Sequence, residues 1–217
     1  MRIVRSVLVF SLVCLTAGCF GNSIRGSGNV VTESRDVSGF TGVEVSGSAK
    51  LVLEQGDTES LSITADDNLM QHLTSEVQGS TLMLGTENFT SLSPTDAIVY
   101  RLSVRNLDRL GISGSVEADV RGIRTDSLTV GVSGSGKITV SGEAEAQEIS
   151  VSGSAEYEAE DFKTKDTSIN ISGSAKAVVA VSDNLDVRVS GSGDVEYIGD
   201  PQITKSISGA GNIRSRS

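Results

Sequence analysis

The sequence has no tryptophan, and only five Phe, three Tyr, two Pro, two Cys and one His among 217 residues. Zinc sites built from Cys and His, disulfide frameworks and thiol redox motifs all need more ligands than that. Basic residues are also short, with 18 Lys and Arg against 28 Asp and Glu and a net charge of -10. Nucleic-acid binders engage phosphates with clustered cations on a basic domain, so no nucleic acid is expected as a partner. With aromatics at 4%, the core has to be thin and filled by Val, Ile, Leu and Ala. The apolar fraction of 37% still suffices for one domain or two small ones.

Long hydrophobic runs are scarce as well. The one at the start, Ser6 to Ala17 (SVLVFSLVCLTA), is shorter than the ~20 residues a membrane-spanning helix needs, and Arg2 and Arg5 precede it. This pattern predicts a signal peptide over residues 1–18. Its end, Leu15-Thr16-Ala17-Gly18-Cys19, resembles the lipobox of bacterial lipoproteins, with Thr16 where Leu is commonest. In such proteins the equivalent of Cys19 receives a diacylglyceryl group and becomes the mature N-terminus. Several acyl chains on one cysteine hold a protein on a membrane durably, because each buried methylene contributes roughly 0.8 kcal/mol. Phe20 rather than Asp follows the cysteine, which by resemblance to enterobacterial sorting favours the outer membrane. The expected divisions are therefore the signal peptide, a lipidated N-terminus and linker over 19–27, and one folded domain over 28–217.

What the chain has in quantity is glycine, and much of it is periodic. The tetrapeptide Val/Ile-Ser-Gly-Ser/Ala recurs around Gly47, Gly114, Gly134, Gly153, Gly173, Gly191 and Gly209, and from Gly114 onward the spacings are 20, 19, 20, 18 and 18. Two residues before each glycine stand Val45, Ile112, Val132, Val151, Ile171, Val189 and Ile207. Four before stand Val43, Leu110, Val130, Ile149, Ile169 and Val187, with Lys205 the single exception. Small residues occupy the second position after the glycine, and the fourth holds Leu51, Ala118, Ile138, Tyr157, Ala177, Val195 and Ile213. Even offsets point inward and odd ones, rich in Ser, face water, as in strands with one buried face.

A unit of about 19 residues cannot bury its apolar face alone, so copies have to stack. The expected fold is all-β, a single-domain parallel β-helix with coils of about 18–20 residues and a glycine-permitted bend in each. A propeller needs repeats of roughly 40 residues with four strands each. If most of the mature chain coils, about ten coils stacked ~4.8 Å apart give a rod of 45 to 50 Å. Stacking also places Glu117, Lys137, Glu156, Lys176 and Asp194 side by side as an outward ladder of alternating sign.

Between Gly47 and Gly114 the repeat is degraded over 67 residues, close to three and a half periods, although Leu61-Ser62-Ile63, Leu82-Met83-Leu84 and Leu102-Ser103-Val104 still alternate. Asp66 to Leu73 suggests one helical turn capped by Asp66 or Asp67. Residues 85–97 (GTENFTSLSPTDA) lack periodicity and mark the longest loop. Binding commonly sits on loops held by a rigid scaffold, so Asn88, Phe89, Thr90 and Pro94 are the candidate contact residues.

Signals for chemistry are few. Gly131 to Lys137 (GVSGSGK) has the glycine and lysine spacing of a phosphate-binding loop, but Ile138 stands where Ser or Thr belongs and a strand, not a helix, follows. The Ser-Gly pairs have no base to activate a serine, and His72 lies alone. Glu117 with Asp119, Glu156 with Glu158, and Asp194 with Glu196 form outward pairs about 7 Å apart, within the range of inverting glycosidases. The same columns carry Lys137 and Lys176, and no aromatic platform for a sugar ring stands beside them. Calcium-binding repeats supply Asp after paired glycines, and here only Asp194 follows such a glycine. No catalytic residue, metal or cofactor is assigned.

Gly26-Ser27-Gly28-Asn29-Val30, Arg35-Asp36-Val37 with Phe40, Val43-Glu44-Val45, the Ser-Gly-Ser coils, then Gly199-Asp200-Pro201 and Ile207-Ser208-Gly209-Ala210-Gly211-Asn212-Ile213 occur in that order. This order resembles the auto-transporter adhesin family known as the head GIN domain, over about residues 26–213. The resemblance implies a β-helical or β-roll fold in an exported bacterial protein, an adhesin role, and neither catalytic residues nor a known ligand. The expectation is a non-catalytic, adhesin-like binding or structural module of the cell envelope, held on the outer membrane through Cys19, with an unidentified cell-surface, glycan or protein partner. The alternatives are polysaccharide binding or processing by the carboxylate rows, and self-assembly through open solenoid ends.

Overall fold

The Ser-Gly-Ser repeats stack in register, and that stacking generates the architecture. The computed structural model describes residues 23–87 and 90–216; the signal peptide, Cys19, Asn88 and Phe89 lie outside them. Long strands β9 (Arg109–Val132), β10 (Ser135–Val151), β11 (Ser154–Ile171) and β12 (Ser174–Val189) are followed by the shorter β13 (Ser192–Ile198), β14 (Gln202–Ile207) and β15 (Ala210–Ser215). They pair in parallel, Ser115 with Ser135, Ser135 with Ser154, Ser154 with Ser174, Ser174 with Ser192 and Ser192 with Ala210. These steps reproduce the glycine spacings, and the fold is a β-solenoid of about five turns.

Five turns, rather than ten, follow from one pairing. Gly47 on β3 (Gly42–Gln55) lies directly against Gly114, with Val45 opposite Ile112 and Lys50 opposite Glu117. The segment between them is therefore an insertion and not a run of worn coils. It closes the N-terminal end as a cap. β8 (Val99–Val104) runs parallel to β3, whereas β4 (Ser60–Asp66) and β2 (Val30–Arg35) continue that sheet antiparallel. β5 (Leu73–Gln78) and β6 (Thr81–Thr86) form a hairpin, and β6 lies along the first part of β3. The alternating segments around Leu61, Leu82 and Leu102 are strands, as their pattern predicts, but Leu61 lies opposite Leu102 in an antiparallel pair and the Leu82 strand pairs with β5 and β3.

The glycine column has a reason other than backbone freedom at most of its positions. Only Gly47 (φ 90°) and Gly114 (φ 150°) adopt left-handed conformations that favour glycine. At Gly134, Gly153, Gly173, Gly191 and Gly209 an added Cβ would lie 1.8 to 2.0 Å from the carbonyl oxygen of the glycine one coil earlier. Each glycine is there because the next coil leaves no room for a side chain.

Inside the coils the even-offset residues are buried as expected, among them Val130, Ile149, Ile169 and Val187. Two aromatics join them: Tyr157 and Phe162 are fully enclosed. Tyr157 shares its column with Ile138 and Ala177, and the small Ala177 offsets its bulk. Its hydroxyl accepts a hydrogen bond from Gln147 Nε2 at 2.5 Å, and burial pushes its pKa far above the ordinary value. The adjacent buried Thr164 and Thr167 bond each other, and Thr164 also donates to the Ala180 carbonyl at 3.0 Å.

The two ends differ. At the C-terminal end β14 and β15 are exposed along most of their length, and Ile203 and Ile207 stand 40% and 39% accessible. Between them Lys205 occupies the inward column, opposite Val187. The exception to the apolar pattern thus falls on the coil that nothing covers. An inward-pointing charge in a terminal strand is a recognised guard against edge-to-edge pairing.

At the N-terminal end α1 (Asp67–Met70) supplies the predicted turn, but Asp66 makes no side-chain cap bond to it. Its buried carboxylate instead accepts from the Gly28 amide at 2.7 Å, the Thr95 amide at 2.9 Å and the Thr95 hydroxyl. Asp67 accepts from the Ser27 hydroxyl and from Asn29 Nδ2, and the Asn68 side chain bonds the backbone of Ser27 and Arg25. Gly26 packs against Asp66, where a Cβ would fall 2.2 Å from a carboxylate oxygen. Three consecutive side chains so fasten the Gly-Ser-Gly-Asn segment. The two-stranded pair of β1 (Ser23–Arg25) with β7 (Ser91–Ser93) extends it.

Three outcomes test this description. Gly153→Ala will lower the melting temperature by about 6 to 12 °C, an overpacking cost of about 3 kcal/mol spread over a chain of this size, whereas Gly131→Ala, with nothing within 4 Å of its Cβ, will leave it unchanged in the same melts. Lys205→Val will make the protein self-associate at concentrations where the native chain stays monomeric; light scattering that is flat for both would contradict the guard. The hydrogen bonds from Thr95 hold the Asp66 pKa below its ordinary 3.8, so its contribution is complete above that value and is lost as the pH falls through the depressed pKa. Asp66→Asn will therefore destabilise the cap at neutral pH, and its deficit, followed by thermal unfolding across pH, will shrink on acidification below 3.8.

Candidate binding surface

The outward rows define the surfaces on which a partner can be met. The row three after the glycines runs Lys50, Glu117, Lys137, Glu156, Lys176, Asp194 and Asn212, each opposite the next in the ladder. Direct stacking of Gly47 on Gly114 lengthens the alternating charges by one beyond those read from the sequence. Lys50 meets Glu117 at 2.8 Å, and Lys137 meets Glu156 at 3.5 Å and Glu158 at 3.1 Å. The hydrogen bond to Glu158 raises the Lys137 pKa.

This ladder engages the carboxylate pairs. Asp119 is bonded by Arg121, and Glu196 by Arg214 with Arg216 at 3.8 Å. Arg214 holds the Glu196 carboxyl below its ordinary value. A general acid for glycosidic cleavage needs the opposite, a carboxyl whose pKa is raised by burial or a like charge. The rows are organised as ion pairs, with the geometry of structure more than of proton transfer. His72 Nδ1 sits 3.1 Å from Glu87 Oε2, a local pair at the open end of the β5–β6 hairpin. Gly131 and Lys137 lie on successive strands with no helix after them, so the glycine-rich run forms no phosphate cradle. Among the described residues no three His, Cys, Asp or Glu side chains converge as metal ligands.

A different face is concave. Along the outer side of the segments preceding the glycines runs a trough of about 620 Å³, lined by the serine row Ser113, Ser133, Ser152, Ser172, Ser190 and Ser208. Each hydroxyl from Ser133 to Ser208 lies 3.3 to 3.5 Å from a carbonyl oxygen of the preceding coil, to which it donates. These serines are exposed and recur at coil spacing. The trough floor is the row three before the glycines, Gly111, Gly131, Ser150, Asn170, Arg188 and Ser206, whose central members are small and uncharged. Arg109 and Arg188 stand at separated points along it. Periodicity alone does not single this row out, because no one residue type is kept through it; the available signal was smallness of its central members at a position facing water.

Of the loop candidates, Asn88 and Phe89 lie outside the described residues, and Thr90 and Pro94 lie within them. Thr90 donates its amide to the Glu87 carbonyl at 3.2 Å and begins the approach to β7. Pro94 lies beside Ser48, Ser115 and Ser135, at a shallow depression over the corner of the first coils that also includes Lys50 and Lys137. Part of the expected loop is thus strand, paired with the N-terminal arm, and it adjoins the serine corner instead of projecting from it.

Known proteins share this architecture. A crystal structure of a "putative adhesin" from Bacteroides fragilis superposes with a TM-score of 0.74 at 18% identity, covering 89% of this chain and 100% of the other. A "putative lipid binding protein" from Parabacteroides distasonis is 27% identical with a TM-score of 0.52, covering 90% and 100%. No curated protein gives a significant match. The sequence profile of one family matches residues 39–201, from the turn before β3 to the end of β13 and the proline beyond it. With three quarters of its length matched and the solenoid shared, the chain belongs to the family described as "Putative auto-transporter adhesin, head GIN domain".

Proposed function

We propose that this protein is a non-catalytic, adhesin-like binding module of the bacterial envelope, anchored through lipid on Cys19. Its partner-binding surface is the serine-lined trough. The observation that carries the reading is the trough itself: a concave strip of hydroxyls recurring once per coil, beside a floor whose central residues are small and uncharged and whose charges are Glu44, Arg109 and Arg188. Such a surface offers many weak, equally spaced hydrogen bonds, and a repeating partner gains avidity from engaging several at once. Family membership supports an envelope location, and the lipobox supports the anchor. A linear glycan or an extended protein segment fits the shape of the strip.

Two other readings have less behind them. Polysaccharide processing would need the outward carboxylates, which are held in ion pairs with Lys137, Arg121 and Arg214. Lipid binding, the description given to one relative, would need an apolar chamber, and the coil interior here is filled with side chains.

The test is adherence of the lipidated protein, displayed on cells, to glycan-coated and protein-coated surfaces. Ser152→Trp, in the trough, will weaken adherence roughly tenfold or more, a change of about 1.4 kcal/mol, while Ser182→Trp, at an exposed position of β12 outside the trough, will not. Equal adherence by both variants would remove the trough from the reading. Glycan cleavage by the purified protein that disappears in Glu156→Gln or Asp194→Asn would overturn the non-catalytic assignment.

A further inference from the structure

Cys19 stands four residues before Ser23, where β1 begins. Four residues span at most about 14 Å even when fully extended. β1 is not a loose leader: Ser23, Ile24 and Arg25 pair with Ser91, Leu92 and Ser93, and the Ser23 and Ser93 hydroxyls bond at 2.7 Å. The Gly26 amide continues the ladder to the Ser93 carbonyl at 2.9 Å, and the Asp66-Asp67-Asn68 clamp fixes the next residues. The anchor therefore attaches to a rigid point on the cap. Lipoproteins that reach outward need a flexible tether, and the ordered part of this chain leaves room for only a very short one.

We propose that the β1–β7 ribbon and the Pro94 loop form the membrane-facing surface of the protein, whose contact partner is the lipid headgroup layer. This rests on the lipid-anchor reading of Cys19. The consequence reverses the assignment of the 90–97 segment, which serves as a foot against the bilayer and not as a recognition loop. The last coil, with Ser206, lies six steps from the Gly47 coil, a distance of about 29 Å along the solenoid. Partner recognition then belongs to the trough, which runs from the first coils toward that distant end.

The experiment uses the full, lipidated chain in phosphatidylethanolamine–phosphatidylglycerol vesicles. An acylated Cys19 has no free thiol, so a single introduced cysteine can carry a fluorophore. Labels at Ser91→Cys and Ser206→Cys, both on exposed positions, are compared for quenching by a headgroup-attached quencher. The Ser91 label will be quenched at least about twofold more strongly than the Ser206 label, and Asp66→Asn, which loosens the clamp, will narrow the difference. Equal quenching, or stronger quenching at Ser206, on vesicle-bound protein would overturn the foot. If the native chain and its Cys19→Ser variant fail alike to stay on the vesicles, the anchor reading falls, and the foot with it.

Discussion

Every turn of this solenoid depends on the approach of one glycine to the next. At five successive steps the position of a Cβ is already taken by the carbonyl oxygen of the neighbouring coil's glycine. The corner therefore closes to strand-pairing distance, and both flanking segments enter the parallel ladder together. Serine before each glycine follows from the same geometry. At the corner the side chain must be short, and its hydroxyl can turn back onto the carbonyl of the coil before it. What looks like low complexity in the sequence is a repeated steric demand.

Given the corner, register has two further locks. The interior allows no one-residue slip, since that would turn Val130, Ile149, Ile169 and Val187 toward water. The charge ladder disfavours a slip by a whole coil that omits one, because Lys would then meet Lys and Glu meet Glu. Each exposed pair contributes only about 0.2 to 1 kcal/mol. Their value lies in excluding alternatives, and the Lys137–Glu158 ion pair draws the neighbouring acidic row into the same network.

Much of the fold was legible because the solenoid converts spacing directly into contact. Gly114, Gly134, Gly153, Gly173, Gly191 and Gly209 predict which strand residues pair, and the pairing follows them. The region from Gln55 to Leu107 was not legible in the same way. Leu61, Leu82 and Leu102 alternate whether they sit in a coil or in a cap, and period two carries no information on the direction of the partner strand. The reason for Asp66 was hidden as well: it reads as a helix cap, yet its acceptors serve Gly28 and Thr95, residues 38 and 29 positions away. The trough floor has no sequence signature, because smallness is not a motif.

A stack of identical coils has no inherent beginning or end, so any function that needs polarity has to be built in by departures from the repeat. The cap is one departure and Lys205 is another. The insertion lays β6 and β8 parallel on the first coil and then ends the sheet in the antiparallel β5, β4 and β2, which interrupts the run of parallel coils, and the lysine puts a charge where the last coil would receive one. An ordered N-terminal arm, clamped by Asp66, Asp67 and Asn68, adds direction by fixing which end any N-terminal anchor holds. The repeated surface between the two ends can then be presented as a strip of defined length and orientation. A finite, oriented strip distinguishes a binding module from a fibre made of the same coils.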